Sequence, residues 1–298
     1  MQGKLWIGTD GGGINVFENG KRTAIYNKEN GKLMSNSVLC SLKDSENNLW
    51  FGTYLGNISH YNKQSGEFKT IELEKGKLLD IRTFYEDQEK NIWIGTHKGI
   101  YVFSLSKKKV VKHYNTLNCQ LPENLVRSIA QDDKGRFWIG TFGGGIGVYT
   151  PQMQLIKKFN QYEGFCSNTI NSIYLSKSKQ VWVATGEGLV CFPTSDSFDY
   201  QIFQREEGLP NTHIRAITED ENSNIWVSTN TGISCYIIAQ KRFYNYDHFN
   251  NIPQGNFMSG CVTKNNDGVI YFGSINGLCF FTPDIAMSKL ETPPVVIT

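Results

Sequence analysis

Short apolar runs, rich in β-branched and aromatic residues and bounded by Gly, Asn and Asp, recur along the whole 298-residue chain, and no helical period is sustained in it. That pattern predicts short strands joined by tight turns. The runs contain variants of one segment: LWIGT at 5–9, LWFGT at 49–53, IWIGT at 92–96, FWIGT at 137–141, VWVAT at 181–185, IWVST at 225–229 and IYFGS at 270–274. Their aromatic residues, Trp6, Trp50, Trp93, Trp138, Trp182, Trp226 and Tyr271, are separated by 44, 43, 45, 44, 44 and 45 residues.

Each unit reads as four strands. In the second, 37–43 is strand A, 49–53 strand B, 57–62 strand C and 67–73 strand D, with turns between them and a glycine in the tight turn at 54–56. Seven four-stranded units at this period predict an all-β fold, a seven-bladed β-propeller of antiparallel blades, over residues 1–284. The aromatic residue at the start of strand B fills the wedge between blades. The small residue two places on (Gly8, Gly52, Gly95, Gly140, Ala184, Ser228 and Gly273) admits a neighbouring backbone. Asp44, Asp87, Asp132 and Asp220, six residues before the aromatic, cap the A–B turns and are not a catalytic pair. The first unit opens at strand B and the last reaches strand C at 278–281. Either residues 295–297 pair as a further strand, so that one blade combines both chain ends, or one blade stays short.

Composition narrows the function classes. A net charge of +2 gives no general reason to expect nucleic acid or an acidic membrane as partner, and Lys107, Lys108 and Lys109 fall in a solvated turn. Seven cysteines, an odd number without CxxC, do not form a disulfide framework or a zinc site; Cys191 with Cys235, and Cys40 with Cys261, repeat as small buried apolar residues. The five histidines, at 60, 97, 113, 213 and 248, lack metal-ligand spacing. The glycine triplets at 11–13 and 143–145 precede no helix and are not phosphate cradles, and no nucleophile motif occurs. We therefore expect no cofactor, no metal and no catalysis. No signal peptide follows Met1 and no stretch is long enough to span a bilayer; the chain opens in mid-repeat, as a fragment of a longer protein would.

Candidate binding chemistry concentrates at one end of the blades. Eleven residues before the strand-B aromatic stand Leu39, Arg82, Arg127, Asn171, Arg215 and Gly260, so three arginines share one position in the innermost strand. The B–C turns add Tyr54, His97, Phe142 and Asn230, and the loops entering strand A add His213. Together these predict a ring of guanidinium, amide and aromatic groups. Aromatic faces stack on sugar rings, and arginine forks take carboxylate or sulfate in bidentate fashion. Alternatively the arginines bond to backbone carbonyls or turn acids and lock blades together.

WD40, kelch and sialidase repeats are set aside because their Gly-His and Trp-Asp pairs, double-glycine strand and Asp-box are absent. Leu121-Pro122-Glu123-Asn124, followed by Phe137-Trp138-Ile139-Gly140-Thr141 and Phe142-Gly143-Gly144-Gly145, resembles the two-component regulator propeller repeat. Weaker copies cover about residues 3–284, departing at Ser176 for Asp and Tyr271 for Trp. The tail, 285–298, also looks like the first strand of the Ig-like sandwich that follows such propellers. The resemblance implies a periplasmic sensor region of a bacterial hybrid two-component histidine kinase, recognising an oligosaccharide or similar nutrient-derived ligand. Its partners would be a second propeller and an Ig-like domain of the parent chain, and a homodimer is compatible with it. A structural or dimerisation propeller is the alternative, and a polysaccharide lyase using His97, His213 or Tyr54 is a third.

Overall fold

The computed structural model describes residues 3–193, 197–250, 252–253 and 255–288. The fold is a seven-bladed β-propeller: five sheets have four antiparallel strands in chain order, and the sheets at the two chain ends have three. Blade 2 comprises strands Val38–Lys43, Leu49–Thr53, Ile58–Asn62 and Glu67–Ile71, within two residues of the expected bounds. Blade 1 supplies strands B to D and blade 7 strands A to C. The candidate closing or Ig-like strand at 295–297 lies outside the described residues. A short helix, Pro283–Ser288, was not expected from the pattern. Its cue is local: Pro283 fits the first helical position, and the Thr282 carbonyl accepts the Ala286 amide at 3.1 Å. The chain divides into two compact units, 1–160 with blades 1 to 4 and 161–298 with blades 5 to 7.

Three positions of the repeated segment have distinct physical reasons. In the first unit Trp6 packs on Phe51 and Tyr61 of blade 2 (5.9 and 4.9 Å between ring centroids), Trp50 on Phe103 of blade 3 (5.6 Å), and Trp93 on Phe137 of blade 4 (4.0 Å). In the second unit Trp182 meets Tyr236 of blade 6 at 5.9 Å, and Trp226 meets Phe281 of blade 7 at 4.7 Å. The aromatic is thus the wedge between a blade and its successor. Two places on, the small residue admits side chains of its own strand A and of the next blade, and at Gly95 also the Val126 carbonyl, 3.2 Å from where a Cβ would stand. A Cβ on Gly8 would stand 2.5 Å from Val38 Cγ1, and one on Gly52 2.6 Å from Ile81 Cγ2. The final residue closes the B–C turn. The hydroxyls of Thr9, Thr53, Thr96, Thr141, Thr185, Thr229 and Ser274 each donate to a carbonyl across it, at 2.8–3.2 Å.

Burial of an indole leaves its N–H to be satisfied. The aspartates expected to cap the A–B turns do so, and the second carboxylate oxygen takes that N–H. Asp44 Oδ1 accepts the amides of Glu46 and Asn48 at 3.0 and 2.8 Å, while Oδ2 accepts Trp50 Nε1 at 2.8 Å. Asp87, Asp132 and Asp220 hold Trp93, Trp138 and Trp226 at 2.7, 2.9 and 2.8 Å. In blade 5 Ser176 takes the turn amide of Gln180 at 3.0 Å, but Trp182 Nε1 is buried with no acceptor. Adjacent blades are also tied at this end: Glu86 accepts the Ser45 amide at 2.8 Å, and Glu219 the Lys177 amide at 2.7 Å.

The cysteines are free thiols. Cys191 and Cys235 are buried as expected; Cys40 is half-buried and Cys261 exposed, so the strand-A pair departs from that reading. The Cys261 thiol nevertheless packs on strand B, where it would meet a Cβ on Gly273.

Two substitutions test the carboxylate–indole bond by chemical denaturation. Asp220→Ser, which strands the Trp226 N–H, is expected to cost about 2–3 kcal/mol. Ser176→Asp, which supplies Trp182 with the acceptor its counterparts have, is expected to gain about 1 kcal/mol.

Candidate functional site

The end of each blade that carries the B–C turn also carries the entrance to strand A. A backbone bond joins them: the amides of Tyr54, Phe142 and Gly186 donate to the carbonyls of Ser37, Leu125 and Thr169 at 2.9, 2.9 and 3.0 Å. Just inside this junction strand A carries a β-bulge. In blade 4 Val126 pairs with Thr141 and Ser128 with Gly140, leaving Arg127 as the extra residue. Leu39, Arg82, Asn171 and Arg215 are the extra residues of blades 2, 3, 5 and 6. The recurring position is therefore a bulge, whose side chain is released from the face-alternation of the strand. The apolar residue before it is wholly buried in blades 3 to 6 (Ile81, Val126, Ile170 and Ile214), which anchors the bulge.

Blade 7 differs. Phe257 pairs with Ser274 and Val262 with Phe272, so Met258 to Cys261 face Gly273 alone. Counting back from Tyr271 picks out Gly260, but three residues form the enlarged bulge, and Ser259 is the one that reaches its neighbours.

In the first unit the site residues fall into two groups. Arg82 Nη2 donates to Asp80 Oδ2 at 3.0 Å, and Asp80 Oδ1 accepts the Leu55 amide of the preceding blade's B–C turn at 3.0 Å. The Asp80 amide donates to His97 Nδ1 at 3.2 Å. Tyr54, 47% exposed, lies 6.0 Å from the guanidinium carbon of Arg82. Arg82 thus orients Asp80, which holds Leu55 at a φ of 45°, in the left-handed region. Asp80 was not singled out in the sequence; its signal was an acid two places before the arginine. The second group is Arg127 over the face of Phe142, with the guanidinium carbon 4.1 Å from the ring centroid. Phe142 is 43% exposed and Arg127 half-buried.

In the second unit Arg215 Nε donates to Asn230 Oδ1 at 2.7 Å, joining a bulge to the B–C turn of its own blade. Arg215 Nη1 donates to Ser259 Oγ at 3.3 Å, and Ser259 in turn donates to Asn171 Oδ1 at 3.1 Å. His213 is half-buried, its amide held by Asn211 Oδ1 at 2.9 Å. No group of three or more His, Cys, Asp or Glu side chains arranged to hold a metal occurs among the described residues.

The repeat's own geometry and its relatives agree. The two-component regulator propeller profile matches residues 32–55, 77–98, 120–143 and 208–231. Each segment runs from a strand-A entrance to a B–C turn, in the four blades that have the Asp–Trp bond. The chain belongs to the two-component regulator propeller repeat family. It is 73% identical over its whole length to the extracellular domain of BT3049 from B. thetaiotaomicron, assigned as a hybrid two-component system, with a TM-score of 0.94. The match spans 40% of that chain. A second extracellular domain from B. thetaiotaomicron, BT4673, is 18% identical over 98% of this chain and 46% of its own, with a TM-score of 0.52. The virginiamycin B lyase of Staphylococcus aureus shares the fold at 17% identity and a TM-score of 0.71, covering 94% of this chain and 90% of its own. Comparison with curated proteins gives no match.

The two roles open to the arginines separate in stability. Arg82→Met leaves the Asp80 carboxylate without its cation and is expected to cost about 2 kcal/mol, discounted for partial exposure; Asp80→Asn in the same chain is expected to restore part of it. Thermal unfolding of the single and double variants checks this.

Proposed function

We propose that this chain is a ligand-sensing extracellular propeller of a two-component system and that its ligand is an oligosaccharide or a similar nutrient-derived molecule. The observation that carries the reading is the whole-length likeness to an extracellular two-component domain. The ligand class rests on the site's chemistry. Exposed Tyr54 and Phe142 offer flat faces for sugar rings. Bulges and turns fixed by backbone bonds hold these groups in place before a ligand arrives, which lowers the ordering cost of binding.

In this reading the domain binds and does not cleave. His97 Nδ1 is engaged by the Asp80 amide, so that nitrogen is not available as a base. As part of a membrane-anchored parent the chain would lie in the periplasm, and a second propeller, an Ig-like domain or a second copy would carry the signal onward.

A thermal-shift screen against neutral and acidic oligosaccharides tests the proposal. A cognate glycan at a hundredfold excess over its Kd is expected to raise Tm by roughly 5 °C. No shift with any glycan would favour a structural or dimerisation propeller, and release of an unsaturated product from uronate polymers would favour a lyase.

A further inference from the structure

We infer that Arg215 and Asn230 form the seat for an anionic oxygen group, a carboxylate or a sulfate ester, on the ligand. This rests on the sensing role proposed above and names the chemistry that a group within the second unit recognises.

The observation behind it is a charge without a counter-charge. Arg82 meets Asp80, and Arg136 meets Asp132 at 2.7 Å. Arg215 is half-buried at a bulge, yet among the described residues its two hydrogen-bond partners, Asn230 and Ser259, are both neutral and no carboxylate pairs with it. Desolvation holds its pKa below the ordinary guanidinium value, and the two neutral acceptors offset that cost without supplying a counter-charge. A cation in that state, partly open to solvent, is completed by an anion from outside.

The surrounding bonds orient the guanidinium for that purpose. Arg215 only donates, so the Asn230 side chain must turn Oδ1 toward Nε and its Nδ2 donor away. On the other side Nη1 is steered by Ser259 Oγ, which donates to the buried Asn171. Asn171 Nδ2 then donates to the Ile214 carbonyl at 2.7 Å, beside Arg215 in the chain. The relay starts and ends on the same strand and fixes the plane of the guanidinium. Nη2 of Arg215 and Nδ2 of Asn230 carry no hydrogen bond among the described residues. They are two aimed donors on a pair already joined at 2.7 Å, which suits two oxygens of one acidic group. Ser259 reaches Arg215 from within the enlarged bulge of blade 7.

The experiment uses the 298-residue chain. Isothermal titration with sodium glucuronate and with sodium sulfate, against glucose at matched ionic strength in sodium chloride, is run on wild type, Asn230→Asp and Arg215→Met. Asn230→Asp is nearly isosteric and places a carboxylate on Arg215 from within. It is expected to raise Tm while weakening both anions more than about tenfold. Arg215→Met is expected to remove anion binding without lowering Tm, since it deletes an uncompensated charge. Glucuronate binding well above sulfate assigns the seat to a sugar acid; equal binding assigns it to the anionic oxygens alone; either supports the inference. Anions that bind wild type and Asn230→Asp equally, or that do not bind wild type, overturn it. Neutral oligosaccharide binding without any anion effect would overturn this inference and leave the sensing role standing. Anion binding without binding of any oligosaccharide would do the reverse.

Discussion

A wedge between two sheets must be large and apolar, yet the tryptophan that fits best carries an N–H that burial forbids leaving unmet. Blades 2, 3, 4 and 6 are arranged around that conflict. An aspartate at the preceding turn resolves it, and one carboxylate thereby both caps the A–B turn and pins the indole against the next blade. Because the same carboxylate serves turn and wedge, local backbone geometry and inter-blade packing are coupled through a single side chain. Blade 5 shows the coupling by exception: with Ser176 the turn survives and the indole of Trp182 goes without.

This fixed frame makes room for variation at one place. The strand-A bulge lies just past the buried aliphatic residue that pairs with the end of strand B, and strand pairing resumes directly after it, so its backbone is held on both sides while its side chain is released from the face-alternation of the strand. Leucine, arginine and asparagine all occupy it. The three arginines meet different surroundings: a carboxylate for Arg82, an aromatic face for Arg127, and neutral amide and hydroxyl groups for Arg215. Equivalent positions in a repeat therefore do not carry equivalent roles. Turn residues that differ from blade to blade assign them.

The fold was legible because wedge, close approach and turn closure each demand a residue type at a fixed spacing, and the spacing repeats. The Asp–Trp pairing was half legible: the turn cap followed from the aspartate's place, whereas its bond to the indole required knowing where the ring lies. Positions of Arg82, Arg127 and Arg215 were legible as a shared register. Their partners were not, because Asp80 and Ser259 lie at offsets that the other blades do not share. Counting back from Tyr271 reached Gly260 instead of Ser259, since the three-residue bulge of blade 7 is visible only once Phe257 and Val262 are paired with strand B.

The central claim is that turn carboxylates hold the wedge indoles of four blades. The indole N–H resonances of the tryptophans report on it directly. In a proton–nitrogen correlation spectrum Trp50, Trp93, Trp138 and Trp226, assigned by single substitution, should lie downfield as charge-assisted donors, with Trp182 upfield of all four. A Trp182 resonance among the other four would contradict the account.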